Sequence, residues 1–82
     1  MDLTLQSITT NKSVIEARRI SQGMSVRQLA SVIDVSMSTY TRKVEGKSLF
    51  NAHEIARLMS VFNLDFYDIF TPSGELKKEK GN

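Results

Sequence analysis

The sequence predicts an all-α domain of five short helices. Three observations carry that prediction. Apolar residues recur at three- and four-residue spacing in separate stretches between residues 13 and 70. The stretches are preceded by Ser, Asn or Asp, the residues best suited to cap a helix N-terminus, and Gly23 and Gly46 stand where two of them stop. No segment is β-rich and no internal repeat is present. The domain is read as residues 13–70, with an N-terminal arm, 1–12, and a flexible polar tail, 71–82, containing ELKKEKGN.

The first helix is VIEARRISQ, 14–22. Val14, Ala17, Ser21 and Met24 fall on one face with Ile20 at its edge, Asn11 or Ser13 can cap it, and Gly23 stops it. The second, VRQLASVI, 26–33, is capped by Ser25 and turns Leu29, Ala30 and Ile33 inward. Asp34 breaks the run in a position that suits a left-handed backbone. Ser36 then caps a third helix, 37–45, ended by Gly46. Two short helices joined by so tight a turn form a helix-turn-helix. KSLFN, 47–51, is a loop. Asn51 and Glu54 make a capping box for the fourth helix, 52–62, whose Ile55, Leu58, Met59 and Phe62 face inward. Asp65 caps a last short helix, 66–70, and Pro72 and Gly74 end regular structure. In the arm, Leu3 and Leu5 alternate with polar residues weakly like a strand. It is read either as disordered or as packing on the domain or on a second subunit.

The third helix is built from mediocre helix formers, VSMSTYTRKVEG over 35–46. On a helical wheel Tyr40 and Val44 point one way, with Met37 near them. Ser38, Thr39 and Arg42 point the other way, with Thr41 and Glu45 on the flank. A helix about 10–12 Å across fits a B-DNA major groove about 12 Å wide, and short side chains let it sit deep. Arg42 can bond guanine bidentately, Ser38 and Thr39 can bond several base edges, and a threonine methyl can meet a thymine methyl.

Charge is distributed to match. Residues 12–47 carry seven cations against three anions, a net of +4; residues 48–70 carry Arg57 against Glu54, Asp65 and Asp68, a net of −2. One basic half suits a face on a polyanion. The absence of Cys excludes a disulfide framework and a thiolate metal site. The N-terminus has no signal-peptide run and no stretch is long and apolar enough to span a membrane, so a soluble cytoplasmic protein is expected. His53, the single histidine, has no Asp/His cluster around it and reads as solvated; Glu54 reads as a cap. No nucleophile–base pair, phosphate loop or acid pair appears, so neither an enzyme nor a cofactor is expected.

The stretch MSVRQLASVIDVSMSTYTRKVEGKS resembles the lambda-repressor/Cro-like helix-turn-helix family (Xre type), with Leu29, Ala30, Val35, Ser36, Ser38, Thr39, Arg42 and Gly46 in step. STYTRKVEGKSLFNAHEI is similar to short phage-encoded regulators of that kind. The resemblance implies a five-helix lambda-repressor-like domain, usually dimeric, that binds operator DNA and regulates transcription. It places Met37, Ser38, Thr39, Thr41 and Arg42 at base edges, and Lys43 and Lys47 at phosphates. Val26 stands where the family often has a phosphate-holding Gln, so Arg27 or Gln28 takes that contact. Asp34 replaces a common Gly. Glu45 replaces a common Asn and is offered Arg42, Arg18 or Arg19 as partner. Either Arg18 or Arg19 fills the family's inward-facing Arg position.

The expected function is therefore sequence-specific binding of double-stranded operator DNA by a homodimer of phage or mobile-element type, a repressor or Cro-like regulator. Tyr67 and Phe70, read as partly exposed, are the candidate dimer contacts, against the alternative of an intramolecular core edge. The rival function is a protein-interaction module, antitoxin- or anti-repressor-like, on the same fold.

Overall fold

The computed structural model describes residues 8–72. Five helices are found among them: α1 Lys12–Ser21, α2 Val26–Val32, α3 Met37–Val44, α4 Ala52–Phe62 and α5 Phe66–Ile69. Two three-residue strands frame the helices, β1 Ile8–Thr10 and β2 Phe70–Pro72. The Leu3/Leu5 alternation, Gly74 and the ELKKEKGN tail lie outside the described residues.

Local chemistry explains where most helices begin. The Ser25 hydroxyl accepts from the Gln28 amide at 3.0 Å, and the Gln28 side chain accepts from the Ser25 amide at 2.7 Å. Ser36 caps α3 through the Thr39 amide at 3.1 Å. Asn51 and Glu54 form the expected reciprocal box, at 2.8 and 2.9 Å. At α5 the Asp68 carboxylate accepts from the Asp65 amide at 2.9 Å. Asn11 departs from expectation. It stands at the α1 N-cap, but its side chain makes no cap bond. Instead its amide group donates to the Asp68 carbonyl at 3.0 Å, and its side-chain oxygen accepts from the Thr71 hydroxyl at 3.0 Å.

Four helix ends share one geometry. Gly23, Asp34, Gly46 and Asn63 have φ of 68°, 67°, 83° and 54°. In each case the following amide reaches five residues back, as in Met24 to Arg19, Val35 to Ala30, Lys47 to Arg42 and Leu64 to Met59, at 2.9–3.1 Å. This closing bond satisfies a terminal carbonyl that the helix itself leaves free. At Gly46 an added Cβ would meet nothing within 4 Å, so backbone strain is the sole cost of a side chain there. Gly46→Ala is expected to lower the unfolding free energy by roughly 1–2 kcal/mol, read as an earlier urea midpoint at unchanged slope. A midpoint equal to the parent's contradicts this.

The core draws Ile15 from α1, Leu29 and Ala30 from α2, Tyr40 and Val44 from α3, Leu58 and Phe62 from α4, and Ile69 from α5. Ile33, Phe50 and Phe70 complete it. Two expectations are corrected here. Ala17 and Ser21, read as the inner face of α1, are exposed, while Ile15 is fully buried. Phe70, read as partly exposed, is 3% exposed. Its ring lies 6.0 Å from Phe50 and 5.0 Å from Phe66, so it has no free face for a second subunit.

The two strands are the third correction. β1 pairs antiparallel with β2 in the register Ile8↔Pro72, Thr9↔Thr71, Thr10↔Phe70. Part of the arm thus packs on the domain, and Pro72, expected to end regular structure, belongs to a strand. Phe70 leaves α5 with extended backbone, φ −129° and ψ 143°, so the last helix closes at Ile69 rather than Phe70. The Asn11 amide donates to the Ile69 carbonyl at 2.8 Å and continues the tie between the two ends.

Candidate nucleic-acid interface

α2 and α3 meet through the Asp34 turn, and α3 shows solvent one continuous polar face. Ser38, Thr41 and Arg42 are exposed, with Glu45 one turn on. Met37 is 42% exposed at the first turn; the wheel had placed it nearer the inner side. Thr39 is only half-exposed, and its hydroxyl accepts from Ser36 at 2.9 Å. The exposed groups are therefore Met37, Ser38, Thr41 and Arg42, while Thr39 is tied into the cap. Arg27, Ser31, Asp34, Ser36 and Met37 line an open depression beside this face, floored by Ala30 and Val35.

The opposite face fixes the helix. Tyr40 is 1% exposed and its phenol donates to Glu16 of α1 at 2.6 Å. Arg19 holds the other Glu16 oxygen at 2.7 Å and donates to the Met24 carbonyl at 2.7 Å. Arg19 thus takes the inward position, whereas Arg18 reaches across to the Phe62 carbonyl at 3.2 Å. Burial, then the Glu16 carboxylate, pushes the Tyr40 phenol well above its ordinary value, so it remains a hydrogen-bond donor. The Arg19 hydrogen bond, helped by Tyr40, holds the Glu16 carboxyl below its usual 4.5, against the opposing effect of burial.

That depression sets the sign of a pH effect. The stabilisation from ionised Glu16 is fully present above about pH 4.5, the unfolded value. It is lost as pH falls through the lower folded value. Acid unfolding of Glu16→Gln is expected to have a shallower pH dependence in this window than the parent, measured by denaturant melts from pH 6 to pH 3. Superimposable pH profiles contradict a role for Glu16.

The cations divide into two groups. Lys43, expected on a phosphate, lies instead in a largely buried ion pair. Its Nζ is 2.6 Å from Glu54 Oε1, with side chains 15% and 6% exposed. The same Glu54 oxygen accepts the Asn51 amide, so one atom caps α4 and anchors the end of α3. Lys43 is removed from the phosphate set for this reason. Arg27, Arg42 and Lys47 are exposed. Gln28 is exposed too, although its side-chain oxygen is committed to the α2 capping box. Glu45 pairs with Lys47 at 3.4 Å and Lys12 at 3.9 Å, not with Arg42, Arg18 or Arg19. Arg42 donates to the Ser48 hydroxyl at 3.3 Å.

Sequence patterning reads Glu54 as a cap, which it is, but does not show its pairing with Lys43 across the loop between α3 and α4, nor the bond from Arg42 to Ser48 within that loop. Tyr67, on α5, is 70% exposed, its ring edge-on to Phe66 at 5.2 Å. His53 is exposed in the first turn of α4. Among the described residues no three His, Cys, Asp or Glu side chains group as a metal site, and no helix is long and apolar enough to cross a membrane.

Comparison with known proteins accords with this geometry. A family model described as helix-turn-helix matches residues 15–69, which spans α2, the Asp34 turn and α3 together with the helices that hold them. No curated protein and no solved structure matches the chain. The match covers more than half of the chain, and it takes in the capped helix pair with its polar outer face. The protein therefore belongs to the Cro/C1-type helix-turn-helix family of DNA-binding regulators.

Proposed function

We propose that this protein is a sequence-specific regulator that reads the major groove of operator DNA with α3. One observation carries the reading: Ser38, Thr41 and Arg42 are exposed on the outer face while Tyr40 and Val44 lock the helix from behind. Arg42 bonds guanine, Ser38 bonds an adjacent base edge, and Thr41 and Met37 supply apolar contacts to thymine methyls. Thr39 acts through the α3 cap. Arg27, Lys47 and the free amide end of Gln28 position the phosphates.

Two copies bind half-sites about 34–36 Å apart. Tyr67 is the dimer contact, because Phe70 is buried. The similarity of STYTRKVEGKSLFNAHEI to short phage-encoded regulators supports a phage or mobile-element role in blocking or recruiting polymerase. Selection from a random duplex pool tests the reading. It is expected to return a two-fold repeated motif, and recovery of no motif rejects it.

A salt titration separates this from the rival in which the fold docks a protein and DNA is incidental. Each phosphate neutralised contributes about −0.9 to the slope of log K against log salt. Arg27 and Lys47 should each lower the slope's magnitude by roughly one unit when replaced by Ala. A flat salt response of the parent favours the protein partner.

A further inference from the structure

We infer that Ser48 is a positioning residue for Arg42, and that it sharpens guanine recognition by holding the guanidinium in its reading orientation. The inference rests on the proposed role of Arg42 and adds a residue outside α3. The Ser48 hydroxyl accepts from Arg42 Nη2 at 3.3 Å across the Gly46 turn. Ser48 is itself half-buried.

The segment that carries Ser48 is held at both ends. The Lys47 amide closes the turn onto the Arg42 carbonyl at 2.9 Å. Two residues beyond Ser48, Phe50 is 6% exposed in the core, and Asn51 starts the α4 capping box. The hydroxyl is thus presented to Arg42 from a fixed backbone.

The choice of partner matters. Glu45, three residues after Arg42, is the carboxylate placed to capture it on a helix. Lys47 and Lys12 hold Glu45 instead. A carboxylate would occupy two donors of the guanidinium fork and oppose its charge. A serine oxygen takes one N–H of five and leaves the charge and the remaining donors for a base. Ordering a flexible Arg before binding removes part of the cost of immobilising it in the complex.

The test compares selected motifs and affinities for the full chain and for Ser48→Ala, Ser48→Thr, Arg42→Ala and the Arg42→Ala/Ser48→Ala double variant. Thermal melting establishes that each is folded. Ser48→Ala is expected to lose about threefold to tenfold in discrimination at the one base pair that Arg42→Ala also relaxes. Its salt slope should be unchanged, Ser48→Thr should retain the parent preference, and adding Ser48→Ala to Arg42→Ala should change nothing further. In the free protein, 15N relaxation of the Arg42 side chain should show greater motion in Ser48→Ala, a readout that needs no DNA.

Undiminished discrimination in Ser48→Ala, an equal loss on every sequence, or unchanged Arg42 motion overturns the inference while leaving base reading by Arg42 intact. A parent that selects no motif, or an Arg42→Ala variant with the parent's preference, rejects the underlying reading, and the role of Ser48 falls with it.

Discussion

Glu54→Ala is expected to lower the unfolding free energy by about 3–5 kcal/mol, the range for breaking a buried ion pair by removing one partner. Glu54 Oε1 accepts from both Lys43 Nζ, at 2.6 Å, and the Asn51 amide, at 2.9 Å. Its removal strands the ammonium of a lysine whose side chain is only 15% exposed, and it takes away half of the α4 capping box, the bond from the Asn51 amide. A small domain has only about 5–15 kcal/mol in total, and each kcal/mol shifts the midpoint by roughly 4–8 °C at this size. Lys43→Met should cost less than Glu54→Ala, because the Glu54 carboxylate keeps its bond from the Asn51 amide. The two losses should fall short of additive in a double-mutant cycle. A Glu54→Ala midpoint within a degree of the parent contradicts the load assigned to this pair.

How much of this was readable in advance depends on whether the cause was local. Helix caps are local. Ser25, Ser36 and Asn51 announce themselves by their own side chains and by the residue three positions on, and all three make the cap bonds. Asp34 adopts the left-handed backbone, φ 67°, that its place between two helices demanded. The inner faces of α2 and α4 are carried by apolar side chains, so periodicity found them.

The failures have non-local causes. α1 begins at Lys12, and its inner side carries the charged residues Glu16 and Arg19 beside Ile15. Apolar periodicity looks past such a face and chose Ala17 and Ser21. The strand pair joins residue 8 to residue 72, a partnership that three-residue segments do not advertise. Asn11, like Ser13, reads as a side-chain cap for α1, because its actual partners Asp68 and Thr71 lie 57 and 60 residues away. Phe70 reads as an exposed position of a continuing helix until the chain turns extended and buries it.

Lys43 and Arg42 form the sharpest case, since they are adjacent cations at the same end of α3. In sequence nothing but spacing separates them. In the fold, the step of about 100° between neighbours turns Lys43 toward Glu54 and leaves Arg42 facing solvent.

Arg42→Ala should therefore behave in the opposite way to Lys43→Met. Arg42 is exposed and its one side-chain bond is to the hydroxyl of half-buried Ser48, at 3.3 Å, so stability should change by less than about 0.5 kcal/mol. Binding to the selected operator should weaken by about 1–3 kcal/mol per half-site, and the preference for guanine at one base pair should relax. Lys43→Met should lose stability yet retain the parent's base preference and salt slope, because its ammonium faces a carboxylate rather than a phosphate. Titrations of both variants on the selected duplex and on a copy altered at that base pair separate the two roles. Equal affinity of Arg42→Ala and parent for the selected duplex contradicts base reading by Arg42. A reduced salt slope in folded Lys43→Met returns that lysine to the phosphate backbone.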